Sequence, residues 1–508
     1  MKTLFINPCL RHLCPIKLLP VGIASIMTYV RSRGYEFDFL DIDINDYTDD
    51  YVEAFIKNNE YDVILYGTLV THYKWIKWLT RTIKKYHPKT QIVVGNSVAG
   101  SCYEVFLKNT QADVVVIGEG EVTCAAVLDA LRENKNLKDI QGIAFRDENG
   151  RITRTPKREA ADLSDFPMIE WDFFDISKYM EKCDPSLFGQ QNNGKSDKPV
   201  FSMPVVTARG CAFRCTFCHF VFWDDPYRYR SPDQILIEVK RNMEKYGASG
   251  ISFWDDLSFA SLPQVEKFVD AVLESGLKFQ WSAAIRTDLF GHPRNSYKKR
   301  LEVAKKMKDS GCICVGYSLE SANEKILEMM NKKVTTEYFE EQIKLLDEVG
   351  IISFTAVVFG YPLETRETIQ ETFDMCLKNR VYPSIGFLLP LPYTEMYEYA
   401  KEHGFIIDED AYLEAITERQ DICLNMTEMP DKVIMEEIQK GAKKVNALLD
   451  IGFDESSFIK TAGKQYRTDR QTQKTSQGLD PDNIKRNESD VSFNYSEAVF
   501  NLGSRNSD

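Results

Sequence analysis

Histidine is scarce, six residues in 508, so the chain is not expected to build a His-rich metal centre. Cysteine is sparse too, at twelve. The first residues, Met1-Lys2-Thr3-Leu4-Phe5-Ile6-Asn7-Pro8, run straight into a strand pattern without a signal peptide. Both features argue against a secreted disulfide framework and for a reducing, cytoplasmic setting. No apolar run approaches the roughly 18 residues of a membrane-spanning helix. Positive charge is in deficit: the net charge of −13 argues against an electrostatic grip on nucleic acid or anionic lipid. What remains, 43% hydrophobic and 27% charged residues, is an ordinary soluble composition with length for two or three domains.

Residues 1–140 alternate short apolar strands with amphipathic helices, such as Leu4-Phe5-Ile6, a helix over 21–33, and Val63-Ile64-Leu65-Tyr66. That alternation predicts a doubly wound parallel sheet, Rossmann-like or flavodoxin-like, with ligands at the carboxyl ends of the strands. Residues 141–200 read as a linker, with a hairpin around Glu148-Asn149-Gly150 and a polar stretch over 190–198. A second alternation over 201–410 supplies six strand candidates and predicts a partial (β/α)6 barrel of the TIM type. Residues 411–460 read as a small helical region and 461–508 as a disordered polar tail.

Three of the cysteines are concentrated within eight residues, Cys211, Cys215 and Cys218, just after the strand-like run Pro204-Val205-Val206-Thr207. Three thiolates at spacings of four and three can hold three irons of a four-iron, four-sulfur cluster and leave the fourth iron open to a substrate. Structural zinc would want a fourth ligand, commonly from a second pair, and beyond His219 none lies within the usual spacing. Cys312 and Cys314, two apart on a predicted strand, share a face there and suit either core packing or a second metal.

The Cys-x3-Cys-x2-Cys spacing is similar to that of the radical S-adenosylmethionine (SAM) enzymes, and the resemblance continues along the barrel. Phe217 stands where that family packs an aromatic against the SAM adenine. Asp255-Asp256, completed by Phe259, resembles the branch with Asp-Asp-x-x-Phe, which implies that Asp255 meets the SAM ammonium; a helix cap is the alternative. Arg286 ends the third strand and is implied to fork onto the SAM carboxylate, or else to pair with Asp288. Glu320, in Tyr317-Ser318-Leu319-Glu320-Ser321, matches the acid that bonds the ribose hydroxyls. Gly360, in Gly360-Tyr361-Pro362-Leu363-Glu364-Thr365, matches the segment beside the adenine. Leu363 and Tyr393 replace glycines of the family pattern.

A Rossmann-like unit ahead of such a barrel resembles the cobalamin-binding branch, which includes the anaerobic magnesium-protoporphyrin cyclases and the class B methyltransferases. The resemblance implies cobalamin contacts at Thr68, Thr71, Gly95, Gly118, Glu119 and Gly120. The chain lacks an Asp-x-His-x-x-Gly motif, so no histidine of that motif ligates cobalt, and Asn96 stands where relatives commonly have glycine. The implied cofactors are a [4Fe-4S] cluster, SAM and cobalamin. The implied activity is reductive SAM cleavage to a 5′-deoxyadenosyl radical and methylation of an unactivated carbon or phosphinate centre. A small-molecule substrate and an external electron donor of flavodoxin or ferredoxin type are expected partners. Two other outcomes stay open: a cyclase or oxidoreductase without methyl transfer, and an RNA-modifying methylthiotransferase, which would call for a second cluster motif and a basic appendage that this chain lacks.

Overall fold

Five short runs with apolar centres build the first sheet: β1 (Thr3–Asn7), β2 (Asp38–Asp41), β3 (Val63–Gly67), β4 (Gln91–Gly95) and β5 (Val114–Val116). In the computed structural model, which describes residues 1–9, 17–67, 69–182, 201–218, 225–416 and 422–449, these five strands pair in parallel in the order β2-β1-β3-β4-β5. Of the two arrangements the sequence left open, Rossmann-like and flavodoxin-like, this order is the flavodoxin-like one. β1 and β5 are buried at every position, which suits a sheet covered on both faces. Helices Val21–Ser32 and Gly120–Glu133 pack together, their apolar stripes meeting Phe5, Leu65 and Val116 in the core.

The hairpin of residues 143–154 is not linker. β6 (Ile143–Arg146) pairs antiparallel with β5, and β7 (Ile152–Arg154) pairs with β6, so the sheet gains two strands on this edge. The turn Asp147–Gly150 closes it, with Asp147 accepting from Asn149 N and Arg151 N. Ile143 and Ala144 are fully buried, and that burial makes the hairpin part of the domain. Residues 1–182 group with 218–225 and 390–417 as one compact unit, and the second unit takes the rest.

The second unit is a six-stranded parallel sheet in strictly sequential order. Its strands are β8 (Ser202–Val205), β11 (Gly250–Phe253), β12 (Gln280–Ala284), β13 (Cys312–Gly316), β14 (Ile352–Phe359) and β15 (Pro383–Phe387). Helices connect them, as a partial (β/α)6 barrel requires. Local signals set their ends. Ser231 and Gln234 form a reciprocal capping box with Pro232 in the first turn, and Gly247 ends the same helix in the left-handed region. β8 stops at Val205, two residues before the sequence run ends, because Thr207 N and Ala208 N donate to the Asp255 carboxylate instead of continuing the ladder. Ala208–Arg209 (β9) then pairs antiparallel with Arg228–Tyr229 (β10).

Cys312 and Cys314 do not share a face. Trp281 pairs with Cys312 but the next residue, Ser282, pairs with Cys314, so a bulge reverses the alternation between them. The second-metal alternative loses its geometry. The polar stretch 190–198 and the tail 461–508 lie outside the described residues.

Candidate active site

The cysteine loop leaves β9 through Gly210, whose φ of +91° is in the left-handed region and whose added Cβ would sit 3.0 Å from Pro226 O. Cys215 is buried, while Cys211 and Cys218 are half-buried, and none is in a disulfide. Burial pushes the Cys211 thiol up, opposed by the nearby Arg286 guanidinium and reinforced by Cys215 and Asp256. Among the described residues no three His, Cys, Asp or Glu side chains converge as ligands of one metal ion. A cubane asks for something else, one thiolate on each of three corners, and three unbridged thiols on one tight loop suit it.

The loop is bolted to the turn 329–332 of the same unit. Thr216 N donates to Met330 O and Thr216 Oγ1 to Met329 O, both at 3.0 Å, and Asn331 Nδ2 donates to Arg214 O at 2.7 Å. Phe217 meets Tyr361 edge-on at 6.3 Å. Around this loop the strand ends carry the other predicted residues.

Glu320 follows β13 and is pinned by backbone on both sides, its N–H donating to Ala356 O at 3.0 Å and its C=O accepting from Val358 N at 2.9 Å. Its φ of +64° is one that a non-glycine residue adopts at a cost. Lys332 Nζ holds its carboxylate at 2.7 Å. Arg286 is no surface residue: its side chain is 11% exposed and its Cζ stacks 3.4 Å from the Phe213 ring centroid. Nε donates to Asp288 at 3.0 Å and Nη2 to Lys332 O at 2.7 Å, so the full bidentate fork is not open. Gly360 turns at φ +99°, braced by Glu364, which accepts from Gly360 N and from Thr368. Burial pushes Glu364 up to about 7. Thr365 and Thr394, each ending a family-like segment, are helix N-caps.

The capping alternative fails for Asp255. It caps no helix, and its two oxygens accept from Thr207 N at 2.9 Å, Thr207 Oγ1 at 2.6 Å and Ala208 N at 3.1 Å. Loss of hydration pushes it up to about 6, against the pull of those donors. Its job is to clamp the strand end that launches the cysteine loop. Asp256 beside it is exposed and acts electrostatically on Cys211. Sequence reasoning missed Lys332, whose only signal was a polar turn after a helix.

In the first unit a cavity of about 130 Å³ opens beyond β5, lined by Gly118, Glu119, Arg154, Lys157, Arg158 and Tyr393 among others. Gly118 has φ +88° with open space where a Cβ would stand. The other cobalamin candidates lie elsewhere. Gly120 faces Ile26, whose Cδ1 would be 2.5 Å from an added Cβ; Gly95 faces Val116. Thr71 sits in the short helix Val70–His72, outside the cavity lining, and Thr68 lies outside the described residues. Its lining sets three cations, Arg154, Lys157 and Arg158, against three acids, Glu119, Glu159 and Asp225, with Lys157 paired to Asp225 at 2.8 Å, and adds the aromatic rings of Tyr103, Phe166 and Tyr393. Tyr393, in the glycine position of its segment, keeps glycine's backbone at φ +75°.

A parallel six-stranded barrel bearing three cysteines after its first strand matches the model of the Radical SAM superfamily over residues 205–376. Residues 16–128 match the model of the B12 binding domain. The chain therefore carries a radical SAM domain preceded by a B12-binding domain. It is 26% identical over 392 residues to an uncharacterized methyltransferase of Pyrococcus horikoshii, covering 76% of this chain and 80% of the relative. It is 24% identical over 497 residues to the cytidylyl-2-hydroxyethylphosphonate methyltransferase of Streptomyces wedmorensis, covering 88% and 89%. The anaerobic magnesium-protoporphyrin IX monomethyl ester cyclase of Rubrivivax gelatinosus is 24% identical over 401 residues, covering 77% and 68%.

Among solved structures, the radical SAM methyltransferase TsrM from Kitasatospora setae, with cobalamin and a [4Fe-4S] cluster bound, shares the fold at a TM-score of 0.64 and 15% identity, over 100% of this chain and 99% of that one. The cobalamin-dependent enzyme OxsB gives 0.63 at 17% identity over 79% of this chain, which spans 55% of OxsB's length. The cofactors of this family architecture are a [4Fe-4S] cluster, SAM and cobalamin.

Proposed function

We propose that this enzyme is a cobalamin-dependent radical SAM methyltransferase acting on an unactivated carbon, or a phosphinate-type centre, of a small molecule. The observation that carries the reading is the gathering of Phe217, Arg286, Glu320 and Lys332 about the turn 329–332 to which the cysteine loop is bonded. When bound, the cluster supplies an electron that splits SAM into methionine and a 5′-deoxyadenosyl radical, and cobalamin supplies the transferable methyl group.

The chain's own residues bind and orient. Cys211, Cys215 and Cys218 would hold the cluster. Asp256, exposed next to the clamped Asp255, would meet the SAM ammonium, and Arg286 would offer its carboxylate a neighbouring cation. Glu320 would accept from the ribose hydroxyls, Phe217 and Gly360 would flank the adenine, and the cavity beside Gly118 and Glu119 would take the cobalamin nucleotide tail. Methyl transfer is supported by the methyltransferase relatives, the phosphonate one aligning over most of both chains. An external flavodoxin or ferredoxin is the expected electron source, and the cytoplasm the expected compartment; among the described residues no helix is long and apolar enough to cross a membrane.

The test is anaerobic reconstitution with iron, sulfide and hydroxocobalamin, then reduction with SAM carrying a deuterated methyl group. Retained cobalamin, 5′-deoxyadenosine formation and loss of both cleavage and cluster in Cys215→Ala are the expected results. Failure to retain cobalamin would sink the methyltransferase reading. The similarity to the Rubrivivax cyclase favours one second reading, ring formation without methyl transfer. In that case the deuterated label stays out of the product.

A further inference from the structure

Lys332 meets three of the residues proposed for SAM, Glu320, Phe217 and Arg286. Its Nζ lies 2.7 Å from Glu320 Oε1 and 5.7 Å from the centroid of the Phe217 ring. Its carbonyl oxygen accepts from Arg286 Nη2 at 2.7 Å. The side chains of the ion pair are 12% and 6% exposed, so this is not a surface pair of the kind that water screens. The residues on either side of Lys332 are both left-handed, Asn331 at φ +51° and Lys333 at φ +56°. Two such residues in a row of three cost conformational energy, and the bonds from Asn331 Nδ2 and Thr216 to and from this turn hold the conformation in place.

The division of labour within Lys332 matters. Among the described residues its side chain meets Glu320 and Phe217, the two groups proposed for the adenosine half of SAM. Its backbone meets Arg286, placed for the methionine half. Glu320's backbone is already locked into the sheet by its bonds to Ala356 and Val358, so the remaining freedom is in its side chain, and Lys332 removes it.

We propose that Lys332 is a positioning residue for the adenosine half of SAM, aiming one Glu320 oxygen at the ribose by holding the other, while its backbone steadies Arg286 independently of the side chain. The proposal rests on the radical SAM reading of the barrel. It assigns a role to a side chain that lies twelve residues beyond Glu320. A charge-assisted hydrogen bond of this kind is worth about tenfold or more in affinity when its geometry is lost.

The experiment uses the full-length, cluster-reconstituted protein and measures equilibrium binding of SAM, 5′-deoxyadenosine and methionine, with cluster content checked by iron analysis. Lys332→Met is expected to weaken SAM and 5′-deoxyadenosine about tenfold while methionine changes less than about twofold. Lys332→Arg should restore most of the loss. The double variant Lys332→Met/Glu320→Gln should bind SAM no more weakly than the worse single variant, because one interaction is being removed twice. Unchanged SAM binding in Lys332→Met, an equal loss for methionine, or additive losses in the double variant would each overturn the proposal. If the unsubstituted protein keeps its cluster yet binds no SAM, the underlying radical SAM reading falls as well, an outcome distinct from those three.

Discussion

Replacing Asp255 with asparagine should make this protein more stable at neutral pH and change how its stability responds to pH. The folded state pushes the Asp255 carboxyl up to about 6, from an ordinary 3.8, because the site strips more of its water than Thr207 and Ala208 replace. Two pKa units correspond to about 3 kcal/mol. The sign follows from proton binding: the folded state holds this proton more tightly than the unfolded chain. The contribution is therefore fully present below the unfolded pKa and is lost as pH rises through about 6. About half of it, roughly 1.5 kcal/mol, falls between pH 5 and pH 7.5.

In Asp255→Asn the amide oxygen can still accept from Thr207 N and Ala208 N, and the amide nitrogen can donate to a rotated Thr207 hydroxyl. The clamp survives and the ionisation does not. Urea unfolding of the protein without added cofactors at both pH values, for both proteins, isolates the effect, because Glu364 and every other titrating group is shared. The variant should gain on the parent by about 1.5 kcal/mol from pH 5 to pH 7.5. Parallel stabilities across that interval would show that the buried-carboxylate argument is wrong.

Gly441→Ala should destabilise the second unit by about 1–2 kcal/mol: alanine improves helix propensity by about 1, but so close an approach to a buried ring draws the upper part of the overpacking cost, about 2–3. The new Cβ would lie 2.1 Å from Phe373, a fully buried ring already stacked on Phe359 at 5.4 Å, and an unchanged urea midpoint would refute this. Asn96→Gly should stabilise the first unit by about 1 kcal/mol, because Asn96 sits at φ 73°, ψ −167°, a region natural to glycine alone. Loss of its cap to Ser97 N costs only a few tenths as glycine; a lower melting temperature in the variant would count against the strain.

Legibility in the sequence followed the range of the interaction. Three cysteines in eight residues, a capping box at Ser231 and Gln234, and strands of aliphatic residues are local statements, and each was readable. The hairpin was visible from Glu148-Asn149-Gly150, but its membership in the sheet was not, since that depends on which edge it meets. The pairing of Cys312 and Cys314 was misread because a bulge is invisible to a period-two count.

At the site, the residue types at the strand ends and, through their order behind the cysteines, the class of reaction could be read along the chain. What those residues touch came from folding. Asp255 clamps the strand end because β8 stops beside it. Arg286 has two donor nitrogens engaged because the turn at Lys332 reaches it across 46 residues of sequence. Lys332 itself acquired a role from that same juxtaposition. A motif names a side chain and its chemistry; hydrogen bonds are short and directional, so their partners are set by folded geometry and are not encoded in spacing along the chain.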